Sequence, residues 1–389
     1  MKILKNALIY VSAILVIYIV YCFVDNNTTQ HNTTQHTITT NGNFLFYNSP
    51  VATKAYKNIW INFISKDGEV IVKKYNENLN LLDTYVVHNY KSVINKPIGF
   101  ADDHAAPAIL FNKSKNEIIL ATSYHGSQLY LYKYNIKKNK FINYKIISGK
   151  YTYPRLFNLN KEIYLIMREQ NNNSYGNLVL RSSFDNFASE EVIIKACEKS
   201  VIYASRPTVY NNSLMVAYSI YEYKNKKLRG WKIFVYNLKS KKEKTIDLKQ
   251  YLDENYHSNR PTAIAVREAR ILLGTTLTYN LEGFDLNYKS NNKIIIASVD
   301  LQGENFKKKH EKKVLAPYYP TSIDINNNGD FIYFEKNKIF SSLNFKRLKI
   351  SENAMYPFFF VDYILYATQN KDKYKIRDFD NSIKIYKYR

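Results

Sequence analysis

The chain has 389 residues, 46% of them hydrophobic and 15% aromatic, and that length buries one large all-β domain or two ordinary ones. Of its two cysteines, Cys22 lies in an apolar N-terminal run and Cys197 stands alone in the remainder, which excludes a disulfide within the body and any cysteine-built metal site. The formal net charge of +23 suits an anionic partner such as acidic polysaccharide, nucleic acid or anionic lipid, although a composition rich in Lys, Asn, Ile and Tyr raises the charge whatever the function.

Lys2 and Lys5 mark a short basic stub over residues 1–6, and residues 7–24 then carry no charge. A spanning helix needs roughly 17–25 apolar residues, so this run is long enough to cross a bilayer. The lysines precede it and Asp25 follows, which places the N-terminus in the cytoplasm. The end of the run offers no small-x-small cleavage site, so the expectation is an uncleaved signal anchor in the cell membrane with the rest of the chain outside the cytoplasm. Residues 25–43 repeat Asn-Thr-Thr-Gln-His in tandem and are expected to form a disordered polar tether, with His31 and His36 as parts of the duplication.

From residue 44 to 389 no segment sustains helical apolar spacing, while runs such as 59–64 (IWINFI) and 129–132 (LYLY) read as strands between Asn-, Lys- and Gly-containing turns. The strands recur behind prolines. Residues 107–111 (PAILF) lead to 118–122 (IILAT), 154–157 (PRLF) to 163–167 (IYLIM), 207–210 (PTVY) to 214–218 (LMVAY), and the same pairing follows Pro261, Pro320 and Pro357. These prolines are spaced 47, 53, 54, 59 and 37 residues apart, close to the length of one four-stranded propeller blade. A Pro at the first position of a strand removes no needed ladder bond. The spacing predicts an all-β fold, a seven-bladed β-propeller of four-stranded antiparallel blades preceded by one transmembrane helix, with the last blade completed by an N-terminal strand. A pair of β-sandwiches is the competing arrangement.

In a propeller the innermost strands converge, so the residues around each repeating Pro gain interest: Asp102, Asp103 and His104, then Tyr153 and Arg155, Arg206, Arg260, Tyr319 and Tyr356. They either ring a ligand or brace the turns between blades. Residues 99–126 stand apart, because only this hairpin carries a histidine at each end, His104 before and His125 after. If its strands are antiparallel neighbours, both imidazoles emerge at one end of the sheet.

The stretch Asp102-Asp103-His104-Ala105-Ala106-Pro107, the hairpin ending Ser123-Tyr124-His125, residues 152–157 (TYPRLF), 164–168 (YLIMR) and 176–181 (GNLVLR) together resemble the BNR-repeat-containing β-propellers that include ulvan-lyase-type polysaccharide lyases. The likeness covers residues 45–195 and reaches the remainder through the repeat. The Asp-box turn of that family is degenerate here, at residues 183–187 (SFDNF).

The resemblance implies β-elimination on an acidic, uronate-containing polysaccharide, without a cofactor. A base removes the C5 proton, which is acidic enough only when a cation neutralises the neighbouring carboxylate, and an acid protonates the leaving oxygen. His104 takes the base role, His125 that of acid or acid-group contact, and Arg168, Arg181 and Arg206 are candidate neutralisers. Tyr153 is a second proton carrier or a sugar contact, and Asp103, Arg155, Tyr175 and Arg260 fill the surrounding binding positions. One departure stands out: Met167 occupies a position where the family often has Tyr, with Tyr175 as a possible replacement. A sialidase-like hydrolase and a non-catalytic propeller that recognises glycan or protein are the alternatives. No nucleic-acid recognition motif is present.

Overall fold

Period-two burial organises the chain. In the strand Glu69–Tyr75 (EVIVKKY) Val70 and Val72 are buried while Glu69, Ile71 and Lys73 stay partly exposed, and a register shift after Lys74 then turns Tyr75 inward. The computed structural model describes residues 35–44, 47–90, 103–170, 176–224, 227–252, 256, 258–278, 290–316, 323–335, 338–342, 348–349, 353–369 and 381–388. Among them the chain is all-β, with only short 3-10 turns besides strands. No helix among the described residues is long and apolar enough to cross a membrane, and the proposed anchor at residues 7–24 lies outside them.

The strands follow one another in antiparallel groups. Ala52–Ala55, Asn58–Ile64, Glu69–Tyr75 and Leu81–Asn89 form a four-stranded sheet in chain order. Ala108–Asn112, Glu117–Ser123 and Ser127–Asn135 pair in sequence with the first half of the long strand Lys140–Leu159. The second half of that strand opens the next group, pairing with Glu162–Gln170, then Gly176–Ser182, then Glu191–Ile194. Ser213–Glu222 and Lys227–Asn237 anchor the following group, and Ser258–Arg267, Arg270–Thr278, Ser290–Asp300 and Lys307–Ala316 the one after. Single parallel contacts, Gly176 with Val201 and Leu228 with Ser258, link these groups into one long sheet. Ile323–Ile325, Phe331–Glu335, Lys338–Ser341 and Leu348–Lys349 form another four-stranded sheet.

In the last sheet Asn353–Phe360, Tyr363–Gln369 and Asn381–Lys387 are joined by Gln35–Thr39, so the two ends of the described chain pair with each other. The expected tether over 25–43 is therefore corrected: its last residues are folded. Thr37, Ile38 and Thr39 are β-branched and suit an extended strand, and Ile38 is buried.

The recurring prolines also sit differently from a simple strand start. Pro154 and Pro357 lie inside strands among residues skipped at a register shift in the pairing with the next strand, and Pro261 opposes Thr275 directly before such a shift. A bulge is where the ladder already skips a bond, so the missing N–H costs nothing there. Tyr153 and Tyr356, each directly before its proline, take left-handed backbone with φ 62° and φ 54°. Bulky residues in that region cost on the order of 1–3 kcal/mol, so the surroundings impose the geometry.

Residues ahead of the prolines tie distant groups together. The Arg206 guanidinium pairs with the carboxylate of Asp324 and lies 4.5 Å from the centre of the Phe358 ring, joining three groups far apart in sequence. Asp324 is 1% exposed and also accepts from the backbone N–H of Ile325 at 2.8 Å. Replacing Arg206 by Leu strands a buried carboxylate, and breaking a buried pair in this way costs about 3–5 kcal/mol. Urea unfolding of Arg206→Leu is expected to show that loss, with part of it recovered in the double variant that adds Asp324→Asn. A loss below about 1 kcal/mol would mean the pair behaves like an exposed one.

Candidate active site

His104 sits in a short 3-10 turn, Asp103–Ala105, immediately before the strand Ala108–Asn112. That turn is held from two sides. The Asn48 side chain donates to the carbonyls of Ala106 and, at 3.4 Å, His104, and the Thr122 hydroxyl donates to the Ala105 carbonyl at 3.0 Å. His125 follows the strand Glu117–Ser123 in a turn fixed by Gly126, whose φ of 67° needs glycine and whose N–H reaches the Tyr151 carbonyl at 3.1 Å and the Thr152 hydroxyl at 3.0 Å. The antiparallel register, Ala108 opposite Ala121, brings the two turns to one end of the sheet. The imidazole centroids are 4.8 Å apart at 64°, with His104 half-buried and His125 exposed.

Next to them is a cluster of tyrosines and arginines. The Tyr153 ring lies 5.3 Å from His104 and 4.9 Å from Tyr47, which is itself 5.4 Å from Tyr203. The Arg168 guanidinium is set between two of these rings, 4.6 Å from Tyr153 and 5.1 Å from Tyr203. Arg260 lies 5.5 Å from the Tyr203 ring and donates to the Tyr47 hydroxyl at 3.5 Å. Arg155 lies deeper, 1% exposed, and donates to the Ala204 carbonyl at 2.7 Å. The Nε and Nη1 groups of both Arg155 and Arg168 are buried with no acceptor among the described residues. A buried guanidinium usually has its donors satisfied, so these N–H groups keep the capacity to bond an anionic acceptor.

The electrostatics agree with the geometry. Burial opposes the charged form of Arg168, but Tyr153 and Tyr203 outweigh it and hold its pKa above the ordinary value. Burial likewise opposes ionisation of Tyr203, yet Arg168 and Arg260, with His104 adding, outweigh it and pull the phenol below the ordinary value. Arg155, with burial as the main cause, is lowered to about 10.

Of the residues singled out in the sequence, the structure brings together His104, His125, Tyr153, Arg155, Arg168 and Arg260. It engages two others elsewhere. Arg181 pairs with Glu190 at 2.9 Å, donates to the carbonyls of Phe187 and Ala188 at 3.0 and 2.9 Å, and reaches the Tyr151 hydroxyl at 3.0 Å. A carboxylate already balances its charge there. Arg206 is committed to Asp324 in the same way, and burial brings its pKa down to about 9. Tyr175, Asp102 and Tyr319 lie outside the described residues, and of Asp103 only the backbone is described. Among the described residues no three His, Cys, Asp or Glu side chains converge to hold a metal ion.

Two members of the cluster were missed in the sequence, Tyr47 and Tyr203. Tyr203 lies in Ser200–Ala204, the strand just ahead of Pro207, whereas reading each repeat from its proline onward passes over that strand. Tyr47 belongs to the buried segment 47–49, which crosses between groups: Ser49 bridges in parallel to Arg155 and accepts from the Leu156 N–H at 2.8 Å.

No protein-family profile matches the chain, and no curated protein matches it. Solved structures do. The chain is similar to a polysaccharide lyase described as an ulvan lyase of a new family, PL25, with a TM-score of 0.60 and 12% identity over 90% of this chain and 95% of that one. It is similar also to the polysaccharide lyase Uly1, with a TM-score of 0.60 and 9% identity over 91% and 99% of the two chains. The chain thus has an ulvan-lyase-like fold.

The position of Arg168 depends on Gly176, because a Cβ there would meet Arg168 Cδ at 2.7 Å and Cγ at 2.9 Å, and Val201 Cβ at 3.1 Å. Gly176→Ala is expected to lower the unfolding free energy by about 1–3 kcal/mol through overpacking. The near-ultraviolet dichroism of the tyrosines flanking Arg168 is expected to change with it. A wild-type urea midpoint and an unchanged tyrosine signal would show that Arg168 has room to move.

Proposed function

We propose that this protein is a membrane-anchored, extracytoplasmic β-propeller that cleaves an acidic, uronate-containing polysaccharide by β-elimination. The observation that carries the reading is Arg168, buried between two tyrosine rings with donors unused, beside a pair of touching histidines. The shared fold with two polysaccharide lyases supports it. The four-strand groups, counted with the one that Gln35–Thr39 completes, support seven blades. Residues 7–24 serve as the anchor, with the N-terminus cytoplasmic.

In this mechanism Arg168 binds the uronate carboxylate and withdraws charge from it, which makes the C5 proton removable. His104 accepts that proton, the C5–H electrons form the C4=C5 double bond, and the C4–O bond breaks. The leaving oxygen takes a proton from His125 or from the Tyr203 phenol, and the proton held by His104 then passes to water while the donor regains one from water, which resets both groups. Arg260 and Tyr153 line the binding position, and Arg155 supports it from below. Met167 does not bear on this scheme: it is fully buried in the core cluster with Leu165 and Val179, while Tyr153 and Tyr203 supply phenols at the cluster itself.

Three guanidinia around one group of tyrosines also fit a second reading, a sialidase-like hydrolase that binds a carboxylate. Full-length protein in detergent, incubated with a panel of uronate polysaccharides, separates the two. β-Elimination is expected to raise the ultraviolet absorbance of unsaturated uronate ends, and His104→Ala is expected to reduce the rate about 10²–10⁴-fold. Reducing ends without absorbance would establish hydrolysis instead, and binding without either would leave a recognition domain.

The lowered pKa of Tyr203 gives a separate test. A phenol that donates must be protonated, so activity is expected to fall as pH rises through its folded pKa, below the ordinary tyrosine value. Tyr203→Phe should lower the rate and move the alkaline limb of the pH–rate profile to higher pH. An unmoved limb would leave the donor role with His125.

A further inference from the structure

The strand Lys307–Ala316 pairs with Ser290–Asp300 on one side only and forms the outer edge of the long sheet. Its first seven residues, KKKHEKK, hold five lysines and one carboxylate. Arg260 belongs to Ser258–Arg267 in the same group, three strands inward. About 14 Å of sheet therefore separates this edge from the strand that carries an arginine of the candidate active site.

Two of the five lysines are engaged within the fold. Lys308 pairs with Glu311, which Lys293 also reaches at 2.8 Å, and the Lys312 ammonium lies 4.1 Å from the centre of the Phe340 ring. His310 packs on the same neighbouring sheet, its Nε2 3.1 Å from the Tyr333 hydroxyl. Lys307, Lys309 and Lys313 are exposed, and no carboxylate among the described residues lies within ion-pair distance of them. Lysines on an edge strand discourage edge-to-edge pairing, yet that protection does not require five. The outer strands Leu81–Asn89 and Glu191–Ile194 carry none, and Glu243–Asp247 carries one. Residues 307–313 span roughly 20 Å of strand, longer than a small anion can use at once. A repeating anion fits.

The side chains choose among polyanions. The seven residues include no arginine, so they offer mobile point charges in place of the planar forks that grip nucleic-acid phosphates. They include no Phe, Tyr, Trp or aliphatic side chain to stack on a base or insert into a bilayer. What remains is attraction to single charges strung along a hydrated polymer. We propose that residues 307–313 are a second holding site for acidic polysaccharide, apart from the place where it is cut, an inference that rests on the polysaccharide-acting reading. Holding one stretch of a long polymer raises the concentration of its other stretches around Arg168. A single uronate cannot bridge the two places and gains nothing.

Fluorescence polarisation of labelled polygalacturonate, titrated with full-length protein in a neutral detergent, tests this, with sodium D-galacturonate as the short ligand. The triple variant Lys307→Gln/Lys309→Gln/Lys313→Gln changes exposed positions only. It is expected to weaken polymer binding roughly tenfold at low salt, and less as salt screens the contacts. Galacturonate binding is expected to stay at the wild-type value in this variant and to be lost in Arg168→Met. A control, Lys137→Gln/Lys138→Gln/Lys140→Gln, removes equal charge at another exposed turn and is expected to weaken the polymer far less. The proposal is overturned if the edge variant binds polymer as the wild type does, or if the control loses as much. It is overturned also if oligothymidylate or phosphatidylglycerol-doped micelles bind through these lysines more tightly than the polymer. Failure of the lyase reading shows separately, as no cleavage of any uronate polymer while lysine-dependent binding persists.

Discussion

Burying a guanidinium without a carboxylate beside it is expensive, because desolvation of an ion in a protein interior costs several kcal/mol before any partner repays it. Arg168 meets that cost with aromatic faces. Tyr153 and Tyr203 present their π-systems to its cation, and their hydroxyls favour its charged form over the opposing effect of burial. Much of the surrounding structure follows from keeping this arrangement. Gly176 leaves room for the side chain, Tyr153 accepts a left-handed backbone next to a proline bulge, and the buried segment 47–49 packs Tyr47 against the same rings.

What separates Arg168 from the chain's other buried arginines is its partner set. Arg181 and Arg206 each have a carboxylate and act as ties, one within a strand group and one across three of them. Arg168 and Arg155 leave both Nε and Nη1 without an acceptor among the described residues, against Nε alone in Arg181, and Arg168 lies nearer than Arg155 to the Tyr153 ring that approaches His104, at 4.6 Å against 6.0 Å. The same residue type therefore does opposite work in one fold, and only the geometry of the neighbours distinguishes the two.

The all-β character and the repeating strand pairs were legible because period-two burial and proline spacing are local properties of the sequence. The histidine pair was legible for the same reason, since a short hairpin fixes where its two ends emerge. The choice among arginines was not. Glu190 lies near Arg181 in sequence, but whether the two side chains meet is decided by a turn at residues 183–187, and Asp324 is more than a hundred residues from Arg206. Tyr47 and Tyr203 escaped because their roles depend on contacts between groups, which no spacing rule encodes. The tether was read too long because a low-complexity repeat runs directly into the strand Gln35–Thr39, and His36 belongs to both.

That strand also orders events in time. Gln35–Thr39 pairs with Asn381–Lys387, and buried Ile38 shares a core cluster with Ile383 and Ile385, so the first described residues find their partners only in the last strand to be synthesised. The group they close is therefore the last that a growing chain can complete.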